Sequence, residues 1–97
     1  MSHSNWTFLT NHSHTLLCIA EDPNIRLRDI ADQVGITERA VQRIVCELED
    51  AEVITRRRDG RRNSYEVNAL RHLRHPLEGH CSVGDLLKMA DESQGDS

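Results

Sequence analysis

The chain is poor in aromatic residues and has no long hydrophobic run. It contains one tryptophan, one phenylalanine and one tyrosine among 97 residues, and a core of aliphatic side chains with so few rings favours helices over a β-sandwich. No apolar stretch approaches the roughly 18 residues of a membrane span, and no signal peptide opens the chain. We therefore expect a soluble, cytoplasmic protein without a membrane partner.

Cysteines are also few, and their arrangement excludes two kinds of covalent or metal scaffold. Cys18, Cys46 and Cys81 are an odd number, are widely spaced and include no C-x-x-C pair. This pattern argues against both a disulfide framework and a zinc ribbon. Free thiols in a reducing compartment are the simplest interpretation.

Acidic residues outnumber basic ones, but the two signs are separated along the chain. The net charge of −4 by itself speaks against a nucleic-acid partner. Residues 53–74, however, carry seven arginines and two acidic residues, a net charge of +5, whereas the rest of the chain carries −9. A charge cluster is often only a solvated surface. In that case, however, the five arginines within residues 56–62 would repel one another with no interaction to offset the repulsion. The cluster therefore favours a surface that binds a polyanion.

Helical patterns occupy the first half of the chain. A first helix is predicted at about residues 10–21, and it ends there because Pro23 disfavours helical geometry at the residue before it. Residues 25–27 have the composition of one small strand. A second helix runs through residues 29–34 and ends at Gly35, which supplies the usual residue after a helix C-terminus.

The clearest helix is the third, at residues 37–51. Thr37 is a good N-cap, and Glu38 in the first turn suits the helix dipole. On a helical wheel the apolar side consists of Ala40, Val41, Ile44, Val45 and Leu48, and the opposite side consists of Arg39, Gln42, Arg43 and Cys46. The last turn is acidic, which opposes the dipole, and the sequence offers no compensating feature.

A β-hairpin is predicted next. Two β-prone runs flank Asp59-Gly60, a strong hairpin signal because glycine takes positive φ without strain. Residues 69–74 then read as a short helical stretch stopped by Pro76. The sequence Ser82-Val83-Gly84-Asp85 has the form of a capping box and opens a last helix that extends to about residue 90.

The order of these elements is that of a winged helix-turn-helix. The expected fold class is therefore mainly α with a small β-hairpin (α+β), in a single domain. We expect four segments: a loose N-terminus (1–9), the winged helix-turn-helix unit (10–74), a C-terminal helical extension that is a candidate for dimerisation (75–90) and a disordered acidic tail (91–97).

Several positions share their spacing with one group of proteins: residues 27–31, the turn at 35–37, Val41, Leu48 and residues 57–65. Together they resemble the winged helix-turn-helix transcriptional regulators of the MarR and ArsR type, over roughly residues 12–70. The resemblance implies that a homodimer binds double-stranded DNA, with the third helix in the major groove and the hairpin along the backbone or in the minor groove. It also implies a prokaryotic, nucleoid-associated protein that is more often a repressor than an activator.

The resemblance further implies the contact residues. The readout face would consist of Thr37, Glu38, Arg39, Gln42 and Arg43, and the wing contacts would come from Arg57, Arg58, Arg61, Arg62 and Asn63. Side-chain chemistry agrees, since the forks of Arg39 and Arg43 fit guanine O6 and N7, and Gln42 matches adenine N6 and N7. These three residues lie in the N-terminal half of their helix, the end that a recognition helix presents to base edges.

The candidate metal ligands are His72, His75, His80 and Cys81, which are metal-binding residue types. Pro76 interrupts their helical spacing, and the set matches no metal signature. We therefore expect no metal and no cofactor. The chain is also short for a MarR-type protein, whose additional long helices form the dimer and line an effector pocket, so a small-molecule effector is not expected.

Two other functions remain open. A winged-helix module could bind a basic or apolar protein partner through the acidic part of the chain, without DNA readout; the arginine-rich hairpin is the feature that such a module would not need. A DNA-coating protein would bind with little dependence on base sequence. An enzyme is not expected, because no catalytic set and no glycine-rich phosphate loop is present.

Overall fold

The computed structural model describes residues 6–91, in which four helices and a two-stranded sheet follow one another in the order α1, α2, α3, β1, β2, α4. This order confirms the predicted α+β class. Residues 1–5 of the expected loose N-terminus and residues 92–97 of the expected acidic tail lie outside the described residues. None of the described helices is both long and apolar enough to cross a membrane.

Helix α1 comprises Asn11–Glu21, close to the predicted bounds. Thr10 Oγ1 accepts a hydrogen bond from the backbone N–H of Ser13 at 3.3 Å and so caps the first turn. The helix ends directly before Asp22 and Pro23, as predicted.

Helix α2 comprises Leu27–Val34, so the strand predicted at residues 25–27 is wrong. The carbonyl of Arg26 accepts two backbone hydrogen bonds from the first turn, each at 3.0 Å, and the chain therefore enters a helix where a strand was expected. The apolar side chain that suggested the strand, Ile25, is instead buried in the core. Gly35 adopts a left-handed φ of 87° and ends the helix as predicted.

Helix α3 comprises Glu38–Asp50 and confirms the amphipathic pattern. Thr37 Oγ1 accepts a hydrogen bond from the backbone N–H of Ala40 at 3.0 Å, so the predicted N-cap is also confirmed. The buried side consists of Val41, Ile44, Val45 and Leu48. These side chains pack with those of α1, α2 and the hairpin into one core.

The end of α3 is a Schellman turn that places an unusual residue in a left-handed conformation. The N–H of Val53 donates to the carbonyl of Leu48 at 2.9 Å, and the N–H of Glu52 donates to the carbonyl of Glu49 at 3.0 Å. Glu52 holds a φ of 65° at the position that glycine usually takes. The turn redirects the chain from α3 straight into the hairpin.

Strands β1 (Ile54–Asp59) and β2 (Arg62–Val67) form an antiparallel hairpin, here called the wing. The strands are joined by Gly60 and Arg61. Gly60 has a φ of 65° at the first central position of this two-residue turn, the position that takes glycine in a type II′ hairpin. The predicted hairpin is therefore confirmed.

Residues 69–74 do not form the predicted helix. They run instead beside residues 81–84, and His72 and Ser82 form an antiparallel bridge. Three backbone hydrogen bonds join the two segments: Leu73 to Cys81 at 2.9 Å, Val83 to Arg71 at 2.7 Å and Gly84 to Ala69 at 2.8 Å. Pairing with a distant segment thus satisfies backbone groups that a helix would satisfy locally.

Helix α4 comprises Val83–Met89, and its capping box is confirmed. Ser82 Oγ accepts from the N–H of Asp85 at 3.1 Å, and Asp85 Oδ2 accepts from the N–H of Ser82 at 2.9 Å. These hydrogen bonds hold the pKa of Asp85 below its usual value. Val83 is buried in the same core as the helix-turn-helix, and the boundary expected after residue 74 stays a prediction.

Candidate nucleic-acid interface

Helix α3 presents its predicted readout residues on the side opposite the core. Arg39, Gln42 and Arg43 are all exposed, as are Thr37 and Glu38 at the start of the helix. The reason is the helical period, since the residues between them supply the buried stripe. Among the described residues, Arg39 and Gln42 make no side-chain hydrogen bond or ion pair, so their polar groups are available to a ligand.

The wing distributes its arginines over two faces. Side chains alternate along a strand, so Arg56 and Arg58 share one face and Arg57 lies on the other. Across the sheet, Arg56 is opposite the buried Tyr65 and Arg58 is opposite Asn63. The inner face of the wing therefore begins in the core and continues outward as polar and charged groups.

Two of the wing arginines are already neutralised. Arg56 Nη2 lies 2.7 Å from Glu49 Oε1 of α3, and Arg57 Nη2 lies 2.8 Å from Glu66 Oε1 of β2. The Glu49 carboxylate raises the pKa of Arg56. Arg57, one of the expected contact residues, is thus paired, although both partners are about two-thirds exposed and open to water.

A second group of arginines is unpaired and converges on one groove. Within residues 6–91, no hydrogen bond or ion pair engages the side chains of Arg26, Arg28, Arg58, Arg61 and Arg62. All of these except Arg58 line a groove of about 760 Å³ between the starts of α2 and α3 and the tip of the wing. Asn63 and three carboxylates, those of Asp22, Asp29 and Glu38, also line this arginine groove, which brings together elements from three parts of the sequence.

Sequence reasoning missed Arg26 and Arg28 as members of this site. A signal was present, because two arginines stand at the first turn of a helix where no side chain provides a cap. The strand predicted over residues 25–27 hides this signal, because it does not place the two side chains at a helix N-terminus. The structure brings both residues to the same groove as the predicted wing residues Arg61 and Arg62.

The acidic end of α3 is contacted by basic side chains from three other elements. The three contacts are His12–Glu47 at 2.6 Å, Arg56–Glu49 at 2.7 Å and Arg71–Glu52 at 3.2 Å. The hydrogen bond from His12 keeps the pKa of Glu47 below its usual value. The compensation for the acidic last turn, which the sequence did not reveal, thus comes from residues of α1, β1 and the segment after the wing.

Two of the four candidate metal ligands make hydrogen bonds within the loop before α4. His72 Nδ1 lies 2.7 Å from the carbonyl oxygen of Gly79, and His75 Nδ1 accepts a hydrogen bond from the N–H of Leu77 at 3.1 Å. In the part of the chain that the structure describes, no group of three or more His, Cys, Asp or Glu side chains is arranged to hold a metal ion. The two imidazoles instead order the loop before α4.

An open cavity of about 700 Å³ lies on the other side of α3. It is bounded by α1, the end of α3 and residues 72–86, and its wall mixes apolar side chains such as Leu16 and Leu48 with the His12–Glu47 pair. The expectation that no small-molecule effector acts on this protein stays a prediction. The three cysteines are free, as predicted.

Helices α2 and α3, the tight turn between them and the wing that follows define a winged helix-turn-helix protein. The model of the MarR family matches residues 10–62, which is more than half of the chain. The chain belongs to the MarR family. This match confirms the resemblance to MarR-type regulators that the sequence suggested. Members of this family are transcription regulators and not enzymes.

One solved structure gives the same result for the fold. The chain is similar to ZitR of Lactococcus lactis, a zinc-responsive MarR family member, with 24% sequence identity and a TM-score of 0.52. The similarity covers 70% of this chain and 49% of that protein, so the chain spans about half of the length of the protein it matches. No curated protein matches the chain.

Proposed function

We propose that this protein is a sequence-specific regulator of transcription that binds double-stranded DNA through α3 and the wing. The observation that carries the proposal is the arginine groove, in which four unpaired arginines from α2 and the wing meet the start of α3. Among the described residues no ion pair joins these arginines to the three carboxylates that also line the groove, so their guanidinium donors are left for phosphate groups. Glu38, the first residue of α3, lines the groove, and the exposed readout residues follow it on the same helix.

The proposed base contacts come from α3. Arg39 and Arg43 donate to guanine O6 and N7, Gln42 pairs with adenine, and Glu38 accepts from the cytosine amino group. Thr37 uses its hydroxyl oxygen as the helix cap and has its hydroxyl proton left for a phosphate or a base. The acidic end of α3 opposes this placement less than its charge suggests, because Glu47 and Glu49 already have basic partners.

The proposed phosphate contacts come from the wing and from α2. Arg61 and Arg62 lie in the groove with Arg26 and Arg28. The surface extends along the hairpin through Arg57, Arg58 and Asn63. Arg57 contacts DNA only when a phosphate replaces Glu66 as its partner. Such contacts carry affinity and register, whereas the α3 residues carry the choice of sequence.

We further propose a homodimer that acts as a repressor in the cytoplasm of a prokaryote. Large apolar side chains are exposed before α1 and around the C-terminal extension, namely Trp6, Phe8, Leu70, Leu77 and Met89. A second copy would cover them, and two-fold symmetry then predicts half-sites about 10 base pairs apart. Repression needs only occupancy of the promoter, whereas activation needs a defined contact with polymerase.

The first experiment measures binding to a random-sequence duplex pool by fluorescence anisotropy at several salt concentrations. Arg61→Ala/Arg62→Ala should bind weakly and with a shallower salt dependence, by about one unit of slope for each arginine–phosphate interaction removed. The matched control is Arg74→Ala/Lys88→Ala, which removes the same charge outside the groove from side chains that make no hydrogen bond or ion pair among the described residues. Equal losses of affinity in the two double variants would mean that only net charge matters, and an absence of binding by the wild type would favour the protein-interaction module.

The second experiment tests base readout on a site selected from that pool. Arg39→Ala and Arg43→Ala are each expected to cost about 1–3 kcal/mol at the selected site and to relax the preference there. The same variants should change binding to the random pool much less. An equal loss of affinity on both kinds of DNA would contradict base readout and would instead indicate a DNA-coating protein.

A further inference from the structure

The base of the wing is buried in the core through Ile54 and Tyr65, and two polar contacts hold the wing at one register pair, Arg56 opposite Tyr65. On β2, the backbone N–H of Tyr65 donates to the carbonyl of Pro23 at 2.9 Å. On β1, Arg56 Nη2 lies 2.7 Å from Glu49 Oε1 of α3. Among the described groups, no hydrogen bond or ion pair connects residues 57–64 to a helix, so the outer part of the wing projects beyond this point.

The Arg56–Glu49 ion pair, which connects the wing to α3, is less exposed to solvent than the other ion pairs among the described residues. The side chains of Arg56 and Glu49 are 37% and 34% exposed, less than both partners of any of the other three pairs among the described residues. Arg56 also lies on the strand face that carries the buried Ile54, which turns it towards the body of the protein. The wing arginines that line the groove, Arg61 and Arg62, have no such tie.

We propose that Arg56 is a positioning residue, which fixes the angle between the wing and α3 through its ion pair with Glu49 and does not itself contact DNA. This inference rests on the proposed function. Strand β1 extends three residues beyond Arg56, a distance of about 10 Å at the rise of a strand. A rotation of about 20° at the attachment would therefore move the tip by roughly 3.5 Å, which is enough to break hydrogen bonds to phosphate.

The proposal makes Glu49→Gln the informative variant, because positioning and simple electrostatics predict opposite results. Removing a negative charge near DNA should tighten binding if charge alone matters. Loss of the Arg56–Glu49 ion pair should weaken DNA binding if that pair positions the wing. Asp50→Asn is the matched control, since Asp50 is the next residue of α3, is exposed and makes no hydrogen bond or ion pair among the described residues.

The binding experiment uses fluorescence anisotropy with a duplex selected from a random pool. Glu49→Gln and Arg56→Gln are expected to bind about threefold more weakly than Asp50→Asn, the effect of losing one partly exposed ion pair. The swapped variant Glu49→Arg/Arg56→Glu should return to within about twofold of the wild type. If Glu49→Gln binds as tightly as Asp50→Asn, or if the swap is as weak as Arg56→Gln, the inference is overturned and Arg56 belongs to the phosphate contacts.

A second readout does not depend on DNA. Residual dipolar couplings measured by NMR report the orientation of the wing amides relative to α1, α2 and α3. We expect Glu49→Gln to change the couplings of residues 57–63 and to leave those of the helices, whereas Asp50→Asn changes neither. If the wild type fails to bind DNA, the proposed function fails and these couplings still decide the inference: an unchanged wing in Glu49→Gln overturns it.

Discussion

Replacing Thr15 by valine is expected to stabilise this protein. Thr15 lies in the middle of α1 with 0% exposure, and its Oγ1 is buried without a hydrogen-bond partner among the described residues. Burying a hydroxyl in this state costs about 1–3 kcal/mol. Valine has nearly the same branched shape and a similar helix propensity, so the substitution removes the cost and opens no cavity. We expect the free energy of unfolding to rise by about 1–2 kcal/mol, with Tm rising by about 4–8 °C for each kcal/mol.

Urea unfolding followed by circular dichroism measures the change, and an unchanged m-value would show that stability alone was altered. Thr15→Ser is the matched control, because it keeps the hydroxyl and removes the methyl group. That variant should lose about 1 kcal/mol. The reasoning is refuted if Thr15→Val is no more stable than the wild type. The hydroxyl would then have a partner in solution, most simply the backbone carbonyl of Asn11 one turn earlier.

Three further variants test other local features. Glu52→Gly should raise the free energy of unfolding by about 0.5–1 kcal/mol, since glycine takes the φ of 65° without strain; Glu52→Ala keeps the strain and should show no gain. Gly84→Ala should cost about 1 kcal/mol or more, because its Cβ would lie 3.1 Å from the carbonyl oxygen of Ala69, and an unchanged Tm would contradict this contact. The lowered pKa of Asp85 means that its capping bonds stabilise α4 fully above a pH of about 4 and are lost as the pH falls through the folded-state value. Hydrogen exchange of the α4 amides should report that loss, and Asp85→Asn should abolish its pH dependence.

The candidate site was predictable where it depends on one element. The exposed side of α3 follows from its helical period, so Arg39, Gln42 and Arg43 could be placed opposite the core from their spacing alone. The wing likewise followed from Asp59-Gly60 between β-prone runs. How Arg57 is paired could not be predicted, since it depends on the strand register that brings Glu66 close.

The sequence by itself determined those features whose partners lie within about four residues. The caps at Thr10, Thr37 and Ser82 and the glycine turns at Gly35 and Gly60 are all of this kind, because each bond or φ angle involves a single turn of chain. Such interactions have a small loop-closure cost and need no tertiary context. The order of elements, and with it the fold class, rested on them.

Only the tertiary structure decided how distant segments satisfy one another. Residues 69–74 have a helical pattern, yet their backbone pairs with residues 81–84. The pairing is possible because the segment that follows the wing lies beside the segment that precedes α4. The acidic end of α3 is stabilised by residues up to 35 positions away. The arginine groove forms because folding places Arg26 and Arg28 beside the tip of the wing. Charge and hydrogen-bond partners that meet only after folding leave no periodic mark on the sequence.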